Sequence, residues 1–289
     1  MNYRNMPPEV HKLSTIPGDW TRKDWFNYSE LGLTSAHIPM LIEIVRNSKE
    51  FWGDDVDDGE YYVPLHAWRA LGQMQAQEAI PVLIDTLAWI DEIDSDLIQE
   101  EMPDVFGRMG IAAAPMLSAY LSETGNELWG RLVAAEGIAI IAGRIPTFRD
   151  EAVQVLTRAL DRFEQEDPVF NGFIINFLSK LNATEAAPLI EAAYRSGRVD
   201  DSIPGDWEDF QVNTGMLPQR RTQRYHRQLF QDAFTDGVYR DLDIVVGDLS
   251  QGEPTPENKK AHALELKTEK KEKKKRKEAK SKRKKNSKK

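Results

Sequence analysis

The residues whose spacing comes nearest to a metal site form an acidic run, DDVDDGE, at positions 54–60. Alternating carboxylates around a glycine could supply the oxygen ligands of a calcium loop. With Gly59 at the sixth position of an EF-hand loop, however, the third position is Val56 and the twelfth is Leu65, so two required oxygen ligands are missing. The sequence therefore predicts a solvated acidic loop that holds no metal ion.

Other arrangements that would support catalysis are missing. The chain has no cysteine, which excludes thiolate zinc sites, iron–sulfur clusters and a cysteine nucleophile. It also lacks G-x-S-x-G, P-loop and G-x-G-x-x-G motifs, and its five histidines form no metal-ligand spacing. His66, beside Trp68, is expected to be a hydrogen-bonded structural residue. We therefore expect a non-enzymatic protein with no catalytic, cofactor-binding or metal-binding residues.

The strongest chemical signal is the segment from Lys259 to Lys289, which holds 17 Lys or Arg against four Glu. Its formal charge is +13 in a chain of net charge −9, so the rest of the chain carries −22. Such a segment cannot build a core, and we expect it to be disordered or transiently helical. Lysine-rich segments bind phosphates through counterion release, and this one has no Phe, Tyr or Trp to stack on bases. We expect sequence-independent, salt-sensitive binding to RNA, DNA or ribosomes.

The basic residues expected to bind the polyanion are Lys270, Lys271, Lys273, Lys274, Lys275, Arg276, Lys277, Lys280, Lys282, Arg283, Lys284 and Lys285.

The elements that would carry these residues are indicated by a repeated frame. The copies are SAHIPMLIEIV (35–45), EAIPVLIDTL (78–87), AAAPMLSAYL (112–121), DEAVQVLTRAL (150–160) and EAAPLIEAAY (185–194). Their anchors, spaced by 42, 34, 39 and 34 residues, are Pro39, Pro81, Pro115, Gln154 and Pro188. Such spacing is typical of stacked helical hairpins.

Each copy of the frame predicts an amphipathic helix. The positions one, two, five and six after the anchor are apolar in nineteen of twenty cases, and they lie on one face of a helix. A proline in the first turn costs little, because the donors there have few partners. Ser35 and Thr184 are the expected N-caps.

A second pattern, with a small residue between apolar ones, precedes four of these helices and predicts their partner helices. Gly or another small residue at one position suggests that two helix backbones approach closely there. The pairs are Leu71-Gly72, Phe106-Gly107, Ile138-Ala139 and Leu178-Ser179. A hairpin cannot bury its stripe alone, so the sequence predicts an all-α fold, an α-solenoid of about five hairpins.

The segment HAWRALGQMQAQEAIPVLIDTL (66–87) resembles HEAT-like repeats of the kind found in phycobilin lyases, and the likeness extends over roughly residues 34–200. It implies a curved stack of helix pairs that serves mostly as a protein-binding scaffold. The chain also resembles an uncharacterised bacterial group of HEAT-like proteins. Some of these end in a zinc-binding cysteine motif, which is absent here.

Composition predicts four regions: an N-terminal cap (1–33), the solenoid (34–200), a C-terminal cap with a linker helix (201–250) and the tail (251–289). The cap around Trp25, Phe26 and Tyr28 is expected to be a short aromatic helix. A near repeat, STIPGDW (14–20) and DSIPGDW (201–207), predicts two equivalent end caps that each bury a tryptophan. The cap residues are Asp19, Trp20, Asp206 and Trp207.

Acidic residues follow each second helix and predict an acidic rim on one edge of the solenoid. The rim residues are Asp54, Asp55, Asp57, Asp58, Asp91, Asp94 and Asp96, with Glu123, Glu127, Glu164, Glu166 and Asp167 further along. The rim could simply keep the surface soluble, or it could receive a cationic segment, including the protein's own tail.

The leading hypothesis is a scaffold or adaptor in the cytoplasm whose solenoid binds a protein and whose tail tethers it to nucleic acid or ribonucleoprotein. No apolar run is long enough for a membrane span, and no apolar leader opens the chain. Two alternatives stay open. One is a lyase-like enzyme in the solenoid groove, and the other is an autoinhibited binder whose tail docks on the acidic rim.

Overall fold

The regular elements of the chain are helical, as the sequence predicts. The computed structural model describes residues 3–17, 25–52, 56, 58–90 and 96–222, and no strand occurs among them. All of these residues belong to one unit of the chain, Met1–Ala233. The predicted tail (251–289) lies outside the described residues.

The helices are numbered in chain order. Those of the first half are α1 (Pro8–His11), α2 (Ile38–Arg46), α3 (Asp58–Tyr61), α4 (Val63–Gln73), α5 (Ile80–Thr86) and α6 (Asp96–Met109). Those of the second half are α7 (Ala114–Ser122), α8 (Leu128–Arg144), α9 (Arg149–Leu160), α10 (Pro168–Lys180), α11 (Ala187–Arg195) and α12 (Trp207–Asn213).

Each copy of the repeated frame forms a helix, and these five are called the second helices: α2, α5, α7, α9 and α11. The four anchor prolines lie in the first turn of their helices, as predicted. A 3₁₀ turn precedes every second helix. The turns are Ser35–His37, Gln77–Ala79, Gly110–Ala113, Pro146–Phe148 and Thr184–Ala186.

These turns correct the predicted N-caps. Ser35 and Thr184 are the first residues of 3₁₀ turns and do not cap α2 or α11. At α2 the backbone N–H of Thr34 instead donates to Nδ1 of His37 at 3.0 Å. The prediction was wrong because a cap rule that places Ser or Thr directly before a helix does not anticipate an intervening 3₁₀ turn.

The helices pack in two rows. The second helices contact one another in chain order, α2 with α5, then α7, α9 and α11. The helices that precede them, α4, α6, α8 and α10, are called the first helices, and they also contact one another in order. The rows meet where α2 packs on α4, α7 on α8, and α9 on α10.

The core lies between the rows and is built from the predicted stripes. Leu41, Leu83, Leu117, Leu156 and Ile190 occupy the same position in the five second helices, and all five are fully buried. Met116 of the predicted stripe is instead 38% exposed. The helix period puts the first stripe position at the edge of the buried arc, so a side chain there can turn outward.

A buried ion pair ties three successive helices together in the second half of the described chain. The Arg131 guanidinium on α8 donates to both carboxylate oxygens of Glu166 at 2.7 and 2.8 Å. Its Nε donates to the Leu121 carbonyl at the end of α7. Glu166 was predicted as an exposed rim residue, and this prediction is wrong because the carboxylate closes the junction from inside, where it is 8% exposed.

The small residues of the first helices lie at close contacts. A Cβ added at Gly72 would lie 3.4 Å from the Val105 carbonyl oxygen and 3.5 Å from its Cα, so the backbones of α4 and α6 come close there, as predicted. At Gly107 the neighbour is the Ile140 side chain of α8 rather than its backbone. The small residue at this position therefore accommodates either a neighbouring backbone or a branched side chain.

The C-terminal copy of the PGDW motif caps a helix, as predicted. The Asp206 carboxylate accepts from the Asp209 N–H at 3.0 Å, and the Asp209 carboxylate accepts from the Asp206 N–H at 3.0 Å. Trp207 is half-buried rather than buried, because it stacks on Phe210 at the edge of the helix row, with ring centroids 5.4 Å apart. Asp19 and Trp20 of the N-terminal copy lie outside the described residues.

Within the described ranges, no helix has both the length and the apolar character needed to cross a membrane.

Candidate binding face of the first helices

One side of the first helices forms a continuous surface, which we call the first-helix face. Three positions of each helix, spaced i, i+3 and i+7, fall on this side. The twelve residues are His66, Arg69, Gln73, Glu101, Asp104, Arg108, Val133, Glu136, Ile140, Phe173, Asn176 and Lys180. Because neighbouring first helices pack on one another, the four helices present a single face.

The N-terminal segment 25–28 covers the α4–α6 half of this face. It was predicted to be a short aromatic helix, but residues 25–27 have no helical structure and only Tyr28–Leu31 forms a 3₁₀ turn. The Gln73 side chain holds this conformation, because its amide donates to the Phe26 carbonyl and its oxygen accepts from the Tyr28 N–H. Hydrogen bonding to α4 therefore replaces hydrogen bonding within a helix.

Two aromatic side chains anchor the segment. The Trp25 ring lies 4.2 Å from the Arg108 guanidinium and 5.5 Å from that of Arg69, which are cation–π distances. The Tyr28 hydroxyl hydrogen-bonds Nδ1 of His66 at 2.8 Å, with both side chains 1% exposed. The face thus accepts an extended segment through ring–guanidinium contacts and a buried hydrogen bond.

Beneath this segment lies a buried ion pair between α4 and α6. Arg69 and Glu101 are 3% and 4% exposed, and the Arg69 guanidinium donates to both carboxylate oxygens of Glu101. Burial, together with the nearby Arg69 charge, lowers the pKa of His66 to about 4. His66 is therefore neutral at pH 7 and serves as the hydrogen-bonded structural histidine that the sequence predicts.

The α8–α10 half of the face combines aromatic, aliphatic and charged groups. Trp129 packs edge-to-face on Phe173 with ring centroids 6.2 Å apart, and the Lys180 ammonium lies 5.8 Å from the Phe177 ring. Ile140 is half-buried between α6 and α8. This half offers a large apolar surface with charged groups among the apolar ones.

Glu136 is the titratable group that stands out in this half. Burial raises its pKa to about 7; the Asp104 carboxylate adds to the rise, while the Lys180 ammonium opposes it. Asp104 is itself bound by the Arg144 guanidinium at 2.7 Å. A carboxyl with such a pKa, half-buried among apolar groups, would ionise more readily if a cation came to lie beside it.

The chemistry of this face suits binding. It presents rings for guanidinium and aromatic side chains, and a carboxyl for a cation. Among the described residues there is no group of three His, Asp or Glu that could hold a metal ion. The face can therefore hold a polypeptide segment by ring contacts, hydrogen bonds and charge.

The predicted rim residues fall largely outside the described ranges. Asp54, Asp55, Asp57, Asp91 and Asp94 are among those outside, and Asp58 and Asp96 are described only as the first residues of α3 and α6.

Described carboxylates of the predicted rim have local roles as well. Asp167 accepts from the Val169 N–H at 2.8 Å and so caps α10. Glu123 accepts from the Gly125 N–H in the turn after α7. These contacts show that rim carboxylates also terminate helices and turns.

All twelve tail residues predicted to bind a polyanion, from Lys270 to Lys285, lie outside the described residues.

Sequence reasoning missed the first-helix face, although a signal for it exists. Arg69, Asp104, Glu136 and Asn176 each stand three residues before the small residue of their helix. A polar residue recurring at one repeat position, next to a stripe that should be apolar, indicates a shared functional or structural surface. The signal is visible only once the repeats have been aligned.

A family model described as Protein of unknown function (DUF1186) matches residues 32–214 of the chain. No curated protein and no solved structure matches the sequence.

Proposed function

The chain belongs to the DUF1186 family of proteins of unknown function, and from its own residues we propose that it is a non-enzymatic scaffold. In this proposal its helical body binds a protein and its Lys-rich tail binds a polyanion. The observation that carries the proposal is the division of charge, +13 in the last 31 residues against −22 in the rest. We propose that it acts in the cytoplasm.

The two rows of helices support a scaffold built as a HEAT-like α-solenoid. Successive first helices contact one another, and so do successive second helices, as stacked hairpins require. Such a stack presents one long face per row, and an extended surface of this kind suits a protein partner.

The first-helix face supports the protein-binding part of the proposal. Its α4–α6 half already holds a segment of polypeptide, residues 25–28, through Trp25 and Tyr28. A surface that binds one segment by aromatic and guanidinium contacts offers the same chemistry to a partner's segment. Tyr and Trp are also among the residues that anchor protein interfaces most often.

The tail supports the second part of the proposal. Counterion release gives lysine-rich segments an affinity for phosphates that needs no particular base sequence. The acidic body would repel nucleic acid, so binding should depend on the tail alone. The expected ligands are RNA, duplex DNA or a ribonucleoprotein such as the ribosome.

The proposal is tested by measuring the affinity for labelled RNA and duplex DNA at several salt concentrations. The full chain is compared with a chain that ends at Asn258 and with a full chain whose tail residues are scrambled. We expect the scrambled tail to bind as well as the natural one, because the binding reads charge and not order. The shortened chain should lose binding, and retention of its affinity would overturn the tether.

A further inference from the structure

The two halves of the first-helix face differ in how they are covered. Residues 25–28 lie on the α4–α6 half and bring an aromatic ring to the guanidinium groups of Arg69 and Arg108. On the α8–α10 half the rings belong to the face itself, on Trp129 and Phe173, and a carboxyl stands at the position that Arg69 holds on α4. An occupant complementary to this half would therefore carry basic and aromatic side chains together.

The chain itself reaches this half from its C-terminal side. α12 packs on α10 and α11. The last described residues are bound to the start of α12: the Arg220 guanidinium donates to Asp206 at 2.6 and 2.7 Å, and the Thr222 N–H donates to Glu208 at 3.0 Å. The chain therefore leaves the described part next to α10.

The sequence that follows has the complementary composition. Residues 223–233, QRYHRQLFQDA, combine Arg224 and Arg227 with Tyr225 and Phe230. Eleven residues span about 16 Å as a helix and about 36 Å when extended. Since neighbouring helices lie about 8–10 Å apart, either conformation is long enough to cross α10 and reach α8.

We propose that residues 223–233 dock on the α8–α10 half of the first-helix face. Tyr225 and Phe230 pack against Trp129 and Phe173, and an arginine of the segment lies beside Glu136. The segment is the C-terminal counterpart of residues 25–28, so polypeptide from both ends of the body covers the face. A partner with aromatic and basic side chains would then bind this half by displacing the segment.

A cross-linking experiment tests this docking, because the chain has no cysteine and any introduced pair is unique. One full-length variant carries Asn176→Cys, on the α10 part of the face, with Gln228→Cys. The matched control carries Gln154→Cys, exposed on the second helix α9, with the same Gln228→Cys. Both are treated with a short bismaleimide, and cross-linked chains are counted by their mobility on denaturing gels.

We expect the Asn176 pair to react about tenfold faster than the Gln154 pair, because docking raises the effective concentration of the two thiols. Adding Tyr225→Ala and Phe230→Ala should abolish the difference while the far-ultraviolet circular dichroism stays unchanged. Equal rates in the parent pairs would overturn the proposal, and so would a preference that survives both alanine substitutions. Since the tail is intact in every variant, this result is independent of polyanion binding.

Discussion

The side chains of Arg69 and Glu101 are an ion pair removed from water between α4 and α6, at 3% and 4% exposure. Desolvation of two such charges is costly, and their mutual hydrogen bonds offset that cost only while both partners are present. The pair also fixes the guanidinium that faces the Trp25 ring. One ion pair thus links core stability to the cover of the binding face.

Arg69→Ala should lower the free energy of unfolding by about 3–5 kcal/mol, because it leaves the Glu101 carboxylate buried and unpaired. The matched control is Arg144→Ala, which breaks the half-exposed pair with Asp104 and should cost about 0.2–1 kcal/mol. Urea unfolding followed by circular dichroism measures both. Equal losses of stability in the two variants would contradict this effect of burial.

The Glu136 carboxyl makes stability depend on pH. Its pKa is about 7 in the folded chain, against a reference value of 4.5, because burial disfavours the ionised form. Between these two values the folded state holds a proton that the unfolded state has released. The contribution of this group to stability is therefore complete below pH 4.5 and is lost as the pH rises through 7.

Glu136→Gln should remove this loss. Relative to the variant, the wild-type chain should lose stability between pH 4.5 and 7 by at most about 1.4 kcal/mol per pH unit, with no further change above. Carboxyl NMR provides the direct reading: the midpoint should rise in Lys180→Met and fall in Asp104→Asn, since these charges act in opposite directions. A midpoint near 4.5 in the wild-type chain would contradict the prediction.

Between helices, packing is set by glycines as well as by apolar stripes. A Cβ at Gly130, near the start of α8, would lie 2.9 Å from the Leu87 carbonyl oxygen and 2.7 Å from the Tyr120 hydroxyl. At Gly143, near the end of the same helix, nothing lies within 4 Å of the added atom. The first glycine therefore permits contact with α7 and with the turn after α5, and the second has no such role.

Gly130→Ala should cost about 1–3 kcal/mol of unfolding free energy, since a backbone carbonyl must move to admit the methyl group. Gly143→Ala should instead stabilise the chain by about 0.5–1 kcal/mol, through helix propensity alone. Thermal or urea unfolding of the two variants gives opposite signs if the packing is as described. A stabilised Gly130→Ala variant would rule out the close approach at α8.

Much of the helix order was predictable because it depends on local rules. The prolines at 39, 81, 115 and 188 mark first turns whatever surrounds them, and the apolar stripes follow the helix period. Other features depend on tertiary contacts that no local rule contains. The extended conformation of residues 25–27 depends on Gln73, and the burial of Glu166 depends on Arg131, 35 residues away.

At the scale of the whole molecule, charge is divided between two parts with different tasks. The body carries −22 and the tail +13, so a polyanion is repelled by one part and attracted by the other. The body has an extended face that holds polypeptide, whereas the last 31 residues have few apolar side chains and no Phe, Tyr or Trp with which to hold one. We therefore assign protein binding to the body and phosphate binding to the tail.

The most direct test of this division is the slope of log affinity for duplex DNA against log salt concentration. Replacing Lys270, Lys271, Lys273, Lys274, Lys275 and Arg276 by glutamine in the full chain should flatten the slope by about 0.9 for each phosphate that the protein no longer neutralises. Replacing the exposed body residues Arg46 and Arg195 by glutamine should leave it unchanged. A slope that keeps its value in the tail variant would contradict the assignment of phosphate binding to the tail.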